Sequence, residues 1–184
     1  LTLRDLAALM VIVSDNTAAN LLIERLGWSA LAALATELGL AQTALRRRFM
    51  GRAALPGEEE NVTSARDLTH LLASLEQGTI VPEGPWLQDL RTILTAQQFR
   101  DIIPARLPAD VRVGNKTGSL PGFLHDAALL WAPHGRATLV LLARDVHDAE
   151  LTRRALADLA RIVYDEWRKA TVSHPIATEG SKSN

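Results

Sequence analysis

The spacing of apolar residues changes period near the middle of this chain, and that change limits what it can fold into. Up to about residue 98 the apolar positions recur three and four apart, the mark of helices with one buried face. Leu3, Leu6, Leu9, Met10 and Val13 open the series. Ala19, Leu22, Ile23 and Leu26 follow, then a segment from about Ser29 to Leu38 that stops at Gly39. Leu68, Leu71, Leu72 and Leu75 mark another helix, and Leu87, Leu90, Ile93 and Leu94 place one more over Trp86 to Gln98. Strand-like runs then take over: Val111 to Lys116, Ala127 to Trp131 and Ala137 to Ala143, with Pro133-His134-Gly135-Arg136 as a hairpin turn. The last two runs are almost continuously apolar, which predicts a sheet covered on both faces. Helical spacing returns after Asp148 through Leu151, Leu156, Leu159, Ile162, Val163 and Trp167. A helical part (about 1–100), then an antiparallel sheet and a C-terminal helix (about 109–171), make an α+β or three-layer αβα domain over residues 1–171. Residues 172–184 read as a disordered tail.

Capping residues mark the helix ends. Thr2 with Asp5 resembles a capping box, and Ser64 with Asp67 marks a second helix start. Gly27 sits where a left-handed C-terminal residue is expected. Ser14-Asp15-Asn16 separates the first two helices, because these short polar side chains compete for backbone hydrogen bonds. From Leu40 to Asn61 charges, glycines and a proline interrupt every period. A loop of that length inside a compact domain is often functional.

Composition excludes several classes. A chain of 184 residues with net charge -1 offers no electrostatic footprint for nucleic acid, and Arg46-Arg47-Arg48 is a short solvated run. Absence of cysteine removes disulfides, thiol catalysis and thiolate metal sites. His125, His134, His147 and His174 lack helical pairing, and His70 has no neighbour at metal spacing, so no metal and no cofactor is expected. Trp28, Trp86, Trp131 and Trp167 read as core or helix-packing residues. No apolar run approaches the roughly 20 residues that span a bilayer. The chain opens at Leu1 without methionine or signal peptide, which suggests that its natural N-terminus has been removed.

Two short motifs carry the chemistry. Ser14-Asp15-Asn16 lies between two helices, and Lys116-Thr117-Gly118 ends a strand that precedes a hairpin. Alone, each reads as a polar turn. In this order and spacing they match the serine-aspartate-asparagine and lysine-threonine-glycine elements of penicillin-recognising serine enzymes. Around them, Thr17-Ala18-Ala19-Asn20-Leu21-Leu22, the approach Val111-Arg112-Val113-Gly114-Asn115, and His125-Asp126 also resemble class A β-lactamases. The resemblance runs to about Lys169. It implies a β-lactamase/transpeptidase-like fold, a β-lactam or peptidoglycan-stem-peptide-like substrate, and a periplasmic or secreted setting.

The resemblance also implies roles. The Ser14 hydroxyl relays a proton to the leaving nitrogen, and Lys116 supplies positive potential beside it. The Asn16 amide holds the substrate's acylamide chain. Thr117 binds the substrate carboxylate, Gly118 lets the strand come close to the ligand, and the Ser119 amide is half of an oxyanion hole. Asp15 fixes the turn.

Two departures narrow this. No serine is followed three residues later by lysine, so the family's nucleophile element is absent from the chain. It is expected N-terminal to Ser14, together with strands on one side of the sheet. Either a truncated polypeptide or a second polypeptide or copy explains this, and the chain alone should not acylate. The family's loop pattern Glu-x-x-x-Asn fails as well. Gly57 stands four before Asn61, and aligning Leu45-Arg46-Arg47 with the start of the loop puts Phe49 near the glutamate position. Glu58, Glu59 and Glu60 read as a solvated loop tip, with a catalytic role for one of them as the alternative. The expected activity is β-lactam hydrolysis. The alternatives are a D-alanyl-D-alanine peptidase, esterase or slowly deacylating penicillin-binding protein, and a catalytically dead binding module. Without the N-terminal part, an apolar face and a strand edge at Ala137 to Ala143 should be exposed.

Overall fold

A computed structural model describes residues 1–173. Five helices come first: α1 (Leu3–Ile12), α2 (Asn16–Leu26), α3 (Trp28–Glu37), α4 (Ala65–Glu76) and α5 (Pro85–Thr95). A short 3-10 helix (Ile103–Arg106) leads into strands β1 (Arg112–Leu120), β2 (Phe123–Ala132) and β3 (Gly135–Arg144), and α6 (Ala149–Ser173) closes the described chain. The strands form one antiparallel sheet in the order β1-β2-β3.

The caps form as the residues dictate. The Thr2 hydroxyl accepts from Asp5 N–H (3.1 Å) while the Asp5 carboxylate accepts from Thr2 N–H (2.8 Å), a complete capping box. Ser64 caps α4 by accepting from Asp67 N–H (3.1 Å), and Asp148 caps α6 by accepting from Leu151 N–H (2.9 Å). Gly27 at φ 88 both ends α2 and precedes α3.

The sheet is covered on both faces. On one side Val111, Val113, Leu124, Ala128 and Leu130 pack against Ile102, Ile103 and the α6 residues Ala160 and Tyr164. On the other, Leu129 packs with Val11 of α1 and with Ile93 and Leu94 of α5. Glu76 at the end of α4 ties that second layer together. Its carboxylate accepts from Arg91 Nε (3.0 Å), Trp131 Nε1 (3.0 Å) and Arg136 Nη1 (2.8 Å). One charge thus binds α4 to α5, β2 and β3.

Several expectations change. Strand β1 does not end at Lys116-Thr117-Gly118 but runs through it to Leu120, where Pro121-Gly122 makes a second tight turn into β2. Helix α5 starts at Pro85, a residue suited to a first helical position, and ends at Thr95, short of Gln98. The tryptophans divide: Trp131 and Trp167 pack against the cores, whereas Trp86 is 76% exposed and Trp28 39%. The apolar stripe of α6 also splits. Leu156, Ala157, Ala160, Tyr164 and Trp167 face the sheet, while Leu151, Leu159, Ile162 and Val163 are exposed. The exposed apolar face therefore lies on α6 more than on β3, whose residues are mostly half-buried. Among the described residues no strand pairs with the outer edge of β3. The tail expected from residue 172 lies outside the described residues, except that α6 continues to Ser173.

Candidate active site

Ser14 is placed by the end of α1. Asp15 N–H bonds back to Leu9 O (3.2 Å), Gln98 N–H to Ile12 O (3.0 Å), and the buried Gln97 side chain donates to Val11 O. The end of α5 thereby pins the end of α1. Ser14 itself adopts φ 57, a left-handed conformation that costs a non-glycine residue about 1 kcal/mol or more. Asp15 then caps α2, its carboxylate accepting from Ala18 N–H at 2.6 Å. That is the structural part expected of it.

Lys116 comes to this turn from β1. Its Nζ donates to Ser14 Oγ at 2.7 Å and to the Thr117 carbonyl at 2.6 Å. Burial lowers the pKa of the Lys116 ammonium, and the charge of Asp126 raises it in part. The ion is half-buried, and its hydrogen-bond partners among the described residues are both neutral oxygens. Such an ammonium is poised to share a proton with a hydroxyl.

The other expected residues are brought near with less contact. Asn16 is exposed at the start of α2, and the loop backbone passes against it at Gly51, where an added Cβ would lie 3.7 Å from Asn16 Nδ2. Thr117 and Gly118 are half-buried and Ser119 is exposed on the same strand. A Cβ at Gly118 would meet His125 Cβ at 3.6 Å, an ordinary contact, so internal packing does not demand glycine there. It does at Gly114, where a Cβ would lie 3.0 Å from Leu94 Cβ and 3.2 Å from the Trp131 ring. An open cleft of 480 Å³ lies beside Ser119, lined by Gly51, Pro121, Phe123, Val146 and His147 among others.

The long loop is closed on itself. Ala44 and Val62 form an isolated bridge at its neck. Asn61 Oδ1 accepts from Arg46 and Arg47 N–H (2.8 and 2.9 Å), and Asn61 Nδ2 donates to Arg47 O (3.0 Å). Glu60 pairs with Arg47 (2.9 Å) and accepts from Ala54 N–H (2.7 Å). Glu58 pairs with Arg52 (2.7 Å) and accepts from Leu55 N–H (2.8 Å). Arg52 holds the Glu58 carboxyl down at about 2, and Arg47 lowers that of Glu60. Glu59 is exposed and lies 3.9 Å from Arg46. Neither Glu58 nor Glu60 is therefore held in a basic, desolvated state. Phe49 is fixed through its backbone: Asn20 accepts from its N–H (2.9 Å) and donates to its carbonyl (2.8 Å).

Sequence reasoning missed the residues that hold the site up. The contacts of Asn20 and Gln97 leave no pattern. Asp126 did leave a signal, a carboxylate inside an otherwise apolar strand, which must be satisfied when buried. It is fully buried, accepting from Asn115 Nδ2 (3.0 Å) and Ile103 N–H (3.0 Å).

With this geometry in hand, the comparisons are consistent. Residues 1–167 match the family described as the β-lactamase enzyme family, and the chain belongs to that family. It is 36% identical to β-lactamase AST-1 of Nocardia asteroides over 90% of this chain and 55% of that one. The crystal structure of a β-lactamase from Sphaerobacter thermophilus superposes with TM-score 0.85 at 30% identity, covering 90% of this chain and 63% of that one. A structure named PBP-A gives TM-score 0.79 at 29% identity, over 92% of this chain and 62% of that one. The chain spans about half the length of the curated relatives it matches. The α+β fold expected from the sequence is the fold of these proteins.

Proposed function

We propose that this chain supplies the proton-relay and substrate-binding part of a serine hydrolase that opens β-lactams, the nucleophile serine coming from outside these 184 residues. The observation that carries the reading is the 2.7 Å contact from Lys116 Nζ to Ser14 Oγ, made between a helix-turn and a strand that lie 102 residues apart. In the reaction, the nucleophile hydroxyl gives its proton to a base that accompanies it outside these residues, its oxygen adds to the lactam carbonyl and the carbon–nitrogen bond breaks; that proton later restores the Lys116 ammonium. The leaving nitrogen takes its proton from Ser14 Oγ, which Lys116 replenishes. Asn16 holds the acylamide chain, Thr117 the carboxylate, Gly118 admits the ligand, and the Ser119 amide stabilises the oxyanion. Water then cleaves the ester and releases the ring-opened acid. The setting is periplasmic or secreted, and the nucleophile segment lies upstream in the same polypeptide or on a second chain.

One observation favours a second reading of the last step. Glu58 and Glu60 are spent on arginines, and Phe49 stands near the position where the family's loop glutamate is expected. Deacylation is then slow, as in a penicillin-binding protein. Mass spectrometry of the full-length protein with a penicillin, beside a chromogenic cephalosporin assay, separates the two. Rapid colour without a lasting adduct supports hydrolysis, and a lasting adduct supports the second reading. Neither signal, from protein containing Ser-x-x-Lys, defeats both.

A further inference from the structure

Lys116 carries a half-buried positive charge whose hydrogen-bond partners, Ser14 Oγ and Thr117 O, are both neutral. Partial burial disfavours an ammonium that has no counter-charge beside it. Among the described residues, the elements around Lys116 offer few compensating charges. On the helical side Asp15 is committed to the Ala18 amide. From the segment before the 3-10 helix, Arg100 donates to the Val113 carbonyl (3.2 Å) and Asp101 pairs with Arg153 (2.7 Å). On β2, His125 is half-buried, its Nδ1 has no partner among the described residues, and burial lowers its pKa. That leaves Asp126.

Asp126 lies opposite Thr117 in the β1–β2 register, one residue from Lys116 but on the other side of the sheet. Strand alternation puts it among the residues that face the α6 layer. Both of its hydrogen-bonded neighbours donate: Asn115 Nδ2 to one oxygen, Ile103 N–H to the other. Two donors and no acceptor suit the ionised form. Asn115 in turn donates to the Phe99 carbonyl (3.1 Å) and leaves its own Oδ1 unpartnered in the interior. The pair thus fastens β1 to the 99–103 segment directly behind the lysine.

We infer that Asp126, held by Asn115, is a positioning residue: a buried counter-charge behind the sheet that keeps Lys116 protonated and seated on Ser14. Fields act across a strand's backbone with little screening where water is excluded. The direction agrees: Asp126 raises the pKa of Lys116 against the pull of burial. The carboxyl of Asp126 is itself pushed up to about 6 by burial, opposed by the Asn115 and Ile103 hydrogen bonds. Below that pH it becomes neutral and the support weakens.

The inference rests on the proposed role of Lys116, but its test need not depend on turnover. In the full-length protein, the Lys116 ε-carbon resonance, assigned with Lys116→Arg, gives the titration midpoint directly. Asp126→Asn should lower that midpoint by about one pH unit or more, a tenfold change in proton affinity. The exchanged pair Asn115→Asp with Asp126→Asn returns a carboxylate to the same site and should restore it. An unchanged midpoint in folded Asp126→Asn protein overturns the inference. If that variant does not fold, a midpoint in the exchanged pair well below the wild-type value overturns it equally. Where the wild-type protein acylates, the basic limb of the acylation pH profile should move down with Asp126→Asn, and the acid limb near 6 should disappear. A wild-type protein that never acylates refutes the proposed function while leaving the titration result standing.

Discussion

The long loop and the sheet treat their charges in opposite ways. In the loop, Glu58 and Glu60 are exposed or nearly so, each paired to an arginine, and their carboxyls are held low. In the sheet, Asp126 is buried on the α6 side, behind the strand that carries Lys116, with hydrogen-bond donors but no paired cation; its carboxyl is pushed up to about 6, while burial lowers Lys116. The loop pairs these two carboxylates within itself. The sheet holds groups whose protonation sits closer to working pH, where proton transfer is efficient. Chemistry is therefore expected from the sheet more than from the loop.

The strongest way to break this contrast is to remove the lysine. Lys116→Met in the full-length protein should lower acylation by about 100- to 10,000-fold, the range for losing a positioned proton-transfer group. Circular dichroism should show the fold unchanged, and near-normal acylation would move the chemistry elsewhere. A pair of glycines sharpens the sheet side of the contrast. Gly114→Ala forces a methyl into Leu94 and Trp131 and should cost about 1–3 kcal/mol in denaturant unfolding. Gly118→Ala meets only ordinary contacts with His125, so its stability should change little while β-lactam binding weakens. Equal destabilisation by both would mean that Gly118 serves packing.

Much of the frame was legible because it is local. Thr2, Asp15 and Ser64 announce helix starts by chemistry confined to three or four residues, and the apolar period of Leu87, Ile93 and Leu94 records burial directly. Ser14 and Lys116 were legible only through a learned pairing of motifs, since nothing local joins residues 102 apart. The split stripe of α6 was not legible, because period alone shows that a helix has an apolar face and not how much of it is covered. The contacts of Asn20, Gln97 and Asn115 were not legible for another reason, although Asn20 and Asn115 stand in segments that resemble the family. Each acts through a hydrogen bond to a backbone atom far away in sequence, at Phe49, Val11 and Phe99, and an isolated amide gives no hint of its partner.

The loop gives the smallest effects, and they run opposite to those of the sheet. Arg47→Ala removes both Glu60 bonds and the contact to Arg52 O, and should ease loop opening by about 1–2 kcal/mol. Faster hydrogen exchange at Ala54 and Asn61, with little change in Tm, would show it. Acid should act similarly. Glu58 falls from 4.5 to about 2 on folding, and Glu60 is also lowered, so their contribution is present above 4.5 and fades as pH drops toward 2. For Asp126, raised from 3.8 to about 6, the sign reverses: its contribution is full below 3.8 and is lost as pH rises through 6. Proteolysis between Arg46 and Asn61 should therefore increase from pH 4.5 downward. Over the interval from 6 to 4.5 the sheet should grow no less stable to denaturant in the wild type, and should lose this pH dependence in Asp126→Asn. If loop and sheet loosened together over that interval, the two would be one cooperative unit and the contrast between them would fail.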